Sequence, residues 1–128
     1  MDRAQSVSES ELKIMRVLWA HQGAIMLSPL MDDLIAQGTQ WKANTVLTFL
    51  SRLSEKGMIR IDKVGRLNQY TALLSEQDYM ASLTREFVCD VYGGDAKGLI
   101  ASLLRNERLS RQDLEDLRAF WEEAKGDG

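Results

Sequence analysis

The sequence predicts a mainly α-helical fold with one small β-hairpin, and three observations favour it. Three segments with helical spacing come first, over roughly the first 56 residues. Two short runs with strand-like alternation follow directly, with a Gly-Arg pair between them. The remaining residues return to helical spacing, and nothing in the chain repeats. We place the boundary between residues 1–74 and residues 75–128, where the second helical region begins.

The first two helices are marked by their start and stop residues. In "VSESEL", Ser8 is expected as an N-cap with Glu11 three residues later, which is a capping box. In "SPLMDDLIAQG", Ser28 is expected as the second N-cap, with Pro29 in the first turn and Gly38 after the end. These signals predict two short, adjacent helices.

The third helix and the hairpin carry the clearest pattern. The helix is expected from about Lys42 to Lys56, ending at Gly57. After it, "MIRIDKV" and "NQYTAL" predict two strands that turn around Gly65 and Arg66. The expected inner face of the helix consists of Val46, Phe49, Leu50 and Leu53.

Helices and a hairpin in this order describe a winged helix-turn-helix, in which the third helix enters the major groove of DNA. Its outer face should therefore carry side chains that reach base edges and phosphates. Thr45, Thr48 and Arg52 step by three and four residues, so they share one face. The predicted DNA-binding residues are Lys42, Asn44, Thr45, Thr48 and Arg52 on the helix and Arg66 at the hairpin tip.

The last 54 residues predict a C-terminal helical dimerisation domain. Short helices with wide apolar stripes bury too little surface in a single chain, so a second copy would complete their core. Cys89 is expected as a small core residue of the first of these helices. The predicted dimerisation residues are Leu99, Leu103, Leu104, Leu114, Leu117 and Trp121.

Composition narrows the class of function. The chain has 128 residues and a net charge of −3, but residues 1–73 hold nine Lys and Arg against seven Asp and Glu, whereas the remainder is acidic. One cysteine, one histidine and no nucleophile–base pair predict no catalytic site, no metal and no cofactor. No apolar run is long enough for membrane insertion, and the start lacks a secretory segment, so we expect a cytoplasmic protein.

Four blocks carry a family resemblance: "SESELKIMRVLW", "TVLTFLSRLSEKGMI", "VGRLNQYTALLSEQDY" and "LIASLLRNERLSRQDLEDL". In order and spacing they resemble the penicillinase repressor family of BlaI and MecI type, from about residue 6 to residue 122. The resemblance implies a homodimeric repressor of β-lactam resistance or stress genes that binds a palindromic double-stranded DNA operator. In many relatives a membrane sensor protease signals the inducer, and the repressor is then cleaved.

The chain departs from the family pattern at two functional places. Relatives often have Ser-Pro-Lys-Thr after the tryptophan, whereas here Trp41 is followed by Lys42, Ala43, Asn44 and Thr45. The basic contact of relatives has therefore moved or been lost, and the bases that are read do not follow from the family pattern. The cleaved bond of relatives joins Asn to Phe, whereas the matching place here reads Asn106 then Glu107. The sequence therefore leaves two explanations for release from DNA. One is cleavage at Asn106, and the other is turnover or a direct ligand without cleavage.

A second function is compatible with the same fold. A winged helix can also serve as a protein-interaction module, in which the outer face of the third helix contacts a protein and DNA binding is weak and nonspecific. A gel shift with the DNA upstream of the protein's own gene distinguishes the two functions.

Overall fold

The computed structural model describes residues 7–106 and 108–127, with side chains as far as residue 124. It divides into two compact units between Ala81 and Ser82. Its mainly helical content with a small antiparallel sheet confirms the predicted class. In the described part of the chain the elements are α1 (Glu9–Ala20), β1 (Ala24–Met26), α2 (Leu27–Ala36), α3 (Ala43–Glu55), β2 (Ile59–Val64), β3 (Leu67–Ala72), α4 (Glu76–Tyr92), α5 (Ala96–Arg105) and α6 (Arg111–Asp127).

Helix α1 begins with the capping box that the sequence predicts. The Ser8 hydroxyl accepts a hydrogen bond from the backbone N–H of Glu11 at 3.1 Å, and the Glu11 carboxylate accepts one from the N–H of Ser8 at 2.9 Å. Two N–H groups that lack a partner within the helix are thereby satisfied. The buried apolar face that follows consists of Ile14, Met15, Val17 and Leu18.

A buried ion pair ties α1 to the end of α3. The Glu11 carboxylate is almost completely buried and lies 2.6 Å from the Lys56 Nζ, and Lys56 is the C-cap of α3. Burial by itself raises the pKa of Glu11, but the hydrogen bonds from Lys56 and Ser8 outweigh it and hold the pKa below its ordinary value of 4.5. The ionised pair therefore fixes the C-terminal end of α3 against α1.

Strand β1 was not predicted, and it moves the start of α2. Ile25 pairs with Tyr70 of β3, so the residues before α2 are drawn into the sheet. The helix then begins at Leu27 with Met26 as N-cap, and no side chain caps it. The prediction of Ser28 as the N-cap is therefore wrong, because Ser28 lies inside the first turn.

Helix α3 confirms the predicted element. Its caps are Lys42 and Lys56, the two residues at which the sequence placed its ends. Val46, Leu50 and Leu53 on its inner face are at most 1% exposed. The fourth predicted residue, Phe49, packs at the edge of this core rather than in its centre.

The three strands form one antiparallel sheet in the order β1-β3-β2. Tyr70 of β3 lies opposite both Ile25 and Ile61, and it is buried. Strands β2 and β3 are joined by the two-residue turn Gly65-Arg66. Gly65 has a φ of 66°, which is typical of the first central position of a type II′ hairpin turn. The predicted hairpin and its tip are confirmed, and we refer to β2, β3 and this turn as the wing.

The first turns of α4 belong to the first unit. Ser75 caps the helix, since its hydroxyl accepts the N–H of Asp78 at 3.1 Å. Tyr79 is buried with its ring centroid 5.7 Å from that of Trp19, and the Trp19 indole N–H donates to the Leu74 carbonyl at 2.9 Å. The division between the units therefore falls inside α4, about two turns beyond residue 74.

The second unit contains the rest of α4 with α5 and α6. Asp95 caps α5, and Ser110 and Asp113 form a reciprocal capping pair at the start of α6. Among the described side chains from residue 82 to residue 124, none is buried. Cys89 is exposed, so the prediction that it is a core residue is wrong. The physical reason is that the three helices of this unit do not enclose a core within one chain.

Candidate nucleic-acid interface

The outer face of α3 is polar and faces away from the core. Asn44, Thr45, Thr48 and Arg52 are all exposed, whereas Val46, Leu50 and Leu53 on the opposite side are buried. The structure therefore brings four of the predicted DNA-binding residues together on one side of one rigid helix. We call Asn44, Thr45, Thr48 and Arg52 the outer face of α3.

Hydrogen bonding on this face sets what it can recognise. The Thr48 hydroxyl donates to the Asn44 backbone carbonyl at 3.0 Å, one turn earlier. Its proton is thus used, so the oxygen is left as an acceptor and the γ-methyl as an apolar contact. The Asn44 amide offers both donors and an acceptor, and the Arg52 guanidinium offers only donors. Together these groups can match mixed donor and acceptor edges of base pairs.

Positive charge collects at the start of α3. Lys42 is exposed at the N-cap, where the helix dipole adds a partial positive charge. The preceding Trp41 packs edge-on against Phe49, with 5.1 Å between ring centroids, and the Lys13 Nζ lies 5.8 Å from the Trp41 ring centroid. Lys13 was not foreseen, because its place over Trp41 depends on packing between α1 and residues nearly 30 positions away.

Near its tip the wing carries the predicted Arg66 and a further exposed cation that the sequence did not predict. Arg66 is exposed in the turn, as expected for a phosphate contact. Lys63 of β2 is also exposed, opposite Asn68 of β3 and next to the closing pair of Val64 and Leu67. The signal was present in the run "DKVGR", where two cations lie within four residues.

Helix α3 and the wing meet at a shared surface depression of about 360 Å³. The structure therefore brings Arg66 close to Leu47 at one edge of α3, which sequence spacing alone does not establish. Its walls come from the start of α2, from α3 and from the wing: Met26, Leu27, Ser28, Pro29, Leu47, Arg66, Leu67, Asn68 and Tyr70.

Solved structures with this arrangement are DNA-binding domains. The solution structure of the DNA-binding domain of the repressor BlaI matches with a TM-score of 0.52 and 33% identity, over 62% of this chain and 94% of that domain. The monomeric form of Bacillus licheniformis BlaI in complex with the blaP half-operator matches with a TM-score of 0.50, at the same identity and coverage.

Sequence comparison extends the similarity along nearly the whole chain. The family model described as penicillinase repressor matches residues 7–123. The chain belongs to the penicillinase repressor family. It is 30% identical to the penicillinase repressor of Bacillus licheniformis, over 98% of this chain and 96% of that protein. It is 26% identical to the methicillin resistance regulatory protein MecI of Staphylococcus aureus, over 91% of this chain and 94% of that protein.

Family membership assigns the general function. The chain is a DNA-binding transcriptional repressor and not an enzyme. No group of three potential metal-ligating side chains occurs among the residues that the structure describes. None of the described helices has the length and apolar character needed to cross a membrane.

The second unit of this repressor displays the predicted dimerisation residues on its surface. Leu114 and Leu117 are exposed on α6, and two further apolar residues of that helix, Phe120 and Trp121, are more than 60% exposed. Phe120 was not predicted, because it lies beside the stripe that the spacing of 114, 117 and 121 defines. On α5, Leu103 and Leu104 are exposed and Leu99 is half-buried.

Asn106 is the C-cap of α5. Its side-chain amide donates to the Ser102 carbonyl at 2.7 Å, which satisfies one of the last carbonyls of the helix. It is exposed, at the start of the short connection to α6. Glu107, the other residue of the predicted cleavage position, lies outside the described residues.

Proposed function

We propose that the protein represses transcription as a homodimer that binds a palindromic operator, with α3 of each chain in the major groove. One observation carries the proposal: α3 has a fully buried face and, opposite it, the exposed polar outer face, and Leu47 of the same helix lines a depression with Arg66. A major groove about 12 Å wide admits one such helix. The related BlaI, solved in complex with the blaP half-operator, supports operator binding here.

Each proposed contact follows from side-chain chemistry. Asn44 suits a bidentate pair with adenine, and Arg52 suits guanine or a phosphate. Thr48 accepts from a base amino group, because its own proton is held by Asn44. Thr45 adds a hydroxyl on the same face. Lys42 and Arg66 bind phosphates on either side of the groove, which fixes the register of the helix.

Mutation of Arg52 on α3 and mutation of Arg66 at the wing should weaken DNA binding in different ways. Arg52→Ala is expected to weaken operator binding by about 1 to 3 kcal/mol without unfolding the chain, mostly through loss of base preference. Arg66→Ala should weaken binding to all sequences alike and lower the magnitude of the salt slope by about one, since it removes one phosphate contact. Fluorescence anisotropy titrations with operator and shuffled duplexes at several salt concentrations measure both.

The matched control is Arg85→Ala, because Arg85 is an exposed arginine of the second unit. Its affinity and salt slope should equal those of the unmodified protein. If Arg52→Ala leaves operator affinity unchanged, α3 does not read the operator. A loss for Arg66→Ala that is confined to one base position rules out the phosphate role.

Dimerisation is proposed to run through the second unit. Its large apolar side chains are exposed in the single chain, and this number of exposed apolar residues favours an interface in a soluble protein. Two-fold pairing of α5 and α6 would bury Leu99, Leu103, Leu104, Leu114, Leu117 and Trp121 against the partner. Twofold symmetry would also present two copies of α3 to two half-sites.

The regulated genes are proposed to serve β-lactam resistance or a stress response. Relatives named penicillinase repressor and methicillin resistance regulatory protein support this assignment. Release from the operator is proposed to follow a cut near Asn106 by a membrane sensor protease. Such a cut lies between α5 and α6, so it would separate α6 from the rest of the interface.

The mass of the repressor in induced cells tests this release step. We expect a fragment that ends near Asn106 when the promoter is active, because a dimer without α6 loses the avidity of two joined half-sites. Intact mass spectrometry of the tagged protein before and after induction gives the result. Full-length protein in fully derepressed cells contradicts cleavage, and would assign release to turnover or a direct ligand.

A further inference from the structure

Leu47 is an apolar residue at the edge of a polar surface. It lies on α3 one turn after Asn44 and one turn before Ser51, and both of these neighbours are exposed. Leu47 is 38% exposed, in contrast to Val46 directly before it and Leu50 three residues later, which are buried. The apolar core of the first unit therefore does not account for Leu47.

The surroundings of Leu47 continue the proposed DNA interface. Its side chain lines the depression between α3 and the wing, together with Leu27, Pro29 and Leu67. Leu67 is 61% exposed, so the depression has an apolar rim that faces solvent in the free chain. The same depression contains Arg66, the proposed phosphate contact. An apolar contact and an anion contact thus lie side by side next to the outer face of α3.

We propose that Leu47 determines operator specificity by packing on the 5-methyl group of a thymine. This inference rests on the proposed function, and it names one base that the recognition helix reads. Of the groups that base pairs display in the major groove, the thymine methyl is the apolar one. Leucine offers no donor or acceptor, so it gains nothing from the polar edges of the other bases. Cytosine has a hydrogen at the same ring position, and therefore Leu47 would discriminate thymine from cytosine.

Arg66 makes the depression suitable for a nucleotide rather than for an apolar peptide. A methyl group on a base and the phosphate of the same strand require one apolar and one cationic contact, and the depression provides both. Tyr70 also lines the depression, and it is buried.

Removing a single methyl group from the DNA tests the proposal. A duplex that the full-length protein binds preferentially is first selected from a random-sequence library. Each thymine is then replaced in turn by deoxyuridine, which lacks only the 5-methyl group. At one thymine per half-site we expect affinity to fall about fourfold, and about sixteenfold when both symmetric positions are replaced, as for loss of one buried methyl group each.

The decisive result is the coupling between this methyl group and Leu47. In Leu47→Ala the loss caused by deoxyuridine at that position should disappear, whereas in Leu47→Met, which keeps an apolar side chain, it should remain. Leu73→Ala is the matched control, because Leu73 is a 50% exposed leucine just beyond the opposite end of β3. It should respond to deoxyuridine as the unmodified protein does.

Each other outcome overturns a defined part of the account. If Leu47→Ala weakens all duplexes equally and keeps the full deoxyuridine loss, Leu47 only supports the wing and the inference is wrong. The same holds if a preferred duplex is selected but no thymine methyl affects its binding. If selection recovers no preferred sequence, the proposed operator-binding function fails, and the inference fails with it.

Discussion

Deleting residues 82–128 should leave a folded monomer that binds a full palindromic operator about 10² to 10⁴ times more weakly than the complete repressor. The first unit keeps its core and its outer face of α3, since the division between units falls after Ala81. The loss arises because a monomer holds one half-site at a time. Sedimentation gives the mass of the truncated chain, and anisotropy titration gives its affinity for the operator and for a half-site.

A shorter fragment provides the control for folding. Ending the chain at residue 74 removes Tyr79, which is 6% exposed against Trp19. Residues 1–74 should therefore be less stable to denaturant than residues 1–81, by about 3 to 5 kcal/mol for a lost buried aromatic side chain.

The 1–81 fragment is expected to bind a half-site and the full operator with equal affinity. A fragment that still sediments as a dimer would show that the second unit is not the main interface.

Replacing Lys56 by methionine should destabilise the first unit by about 3 kcal/mol. The reason is that Glu11 stays buried while its partner, 2.6 Å away, is removed. We take the lower end of the range for a broken buried pair, because the Lys56 side chain keeps 19% exposure. Equilibrium denaturation at pH 7 measures the change. In the double variant Glu11→Gln with Lys56→Met most of the loss should be recovered, since no buried charge is left unpaired.

The acid limb of the stability curve separates an ion pair from simple packing. The pKa of Glu11 is lower in the folded chain than its ordinary value of 4.5, so its contribution is present above that value and is lost as pH falls through the folded pKa. Without Lys56, its hydrogen bond and its charge no longer lower this pKa, so stability of the variant should depend less steeply on pH along the acid limb. Lys63→Met, at an exposed position of the wing, is the control and should change stability by less than about 0.5 kcal/mol. Parallel acid limbs in the unmodified protein, Lys56→Met and Lys63→Met would show that the pair adds no electrostatic stability.

The parts of this fold that the sequence predicts correctly depend on local signals. Ser8 and Glu11 are three residues apart, so their capping box needs nothing outside one turn of helix. The same is true of the Gly65-Arg66 turn, where glycine supplies the positive φ that a two-residue hairpin requires. The outer face of α3 was also predictable, because the spacing of Thr45, Thr48 and Arg52 is set by the helix alone.

The features that escaped prediction depend on distant contacts. Strand β1 has three residues, too few for a visible alternation, and it exists only through pairing with β3 more than 40 residues later. That pairing in turn displaced the start of α2 from Ser28. The burial of Glu11 was not predicted, since nothing near it in sequence indicates its contact with Lys56. The exposure of Leu47 was not predicted either, because it depends on where the wing and the start of α2 lie.

The stoichiometry of the protein on its operator tests the central claim most directly. A palindromic duplex from the DNA upstream of the protein's own gene is mixed with full-length protein. The mass of the complex is measured by sedimentation or native mass spectrometry. We expect two 14.5 kDa chains to bind each duplex together, and one chain to bind a half-site duplex with much lower affinity. A saturated complex with a single chain, or equal binding to a shuffled duplex of the same length, would contradict it.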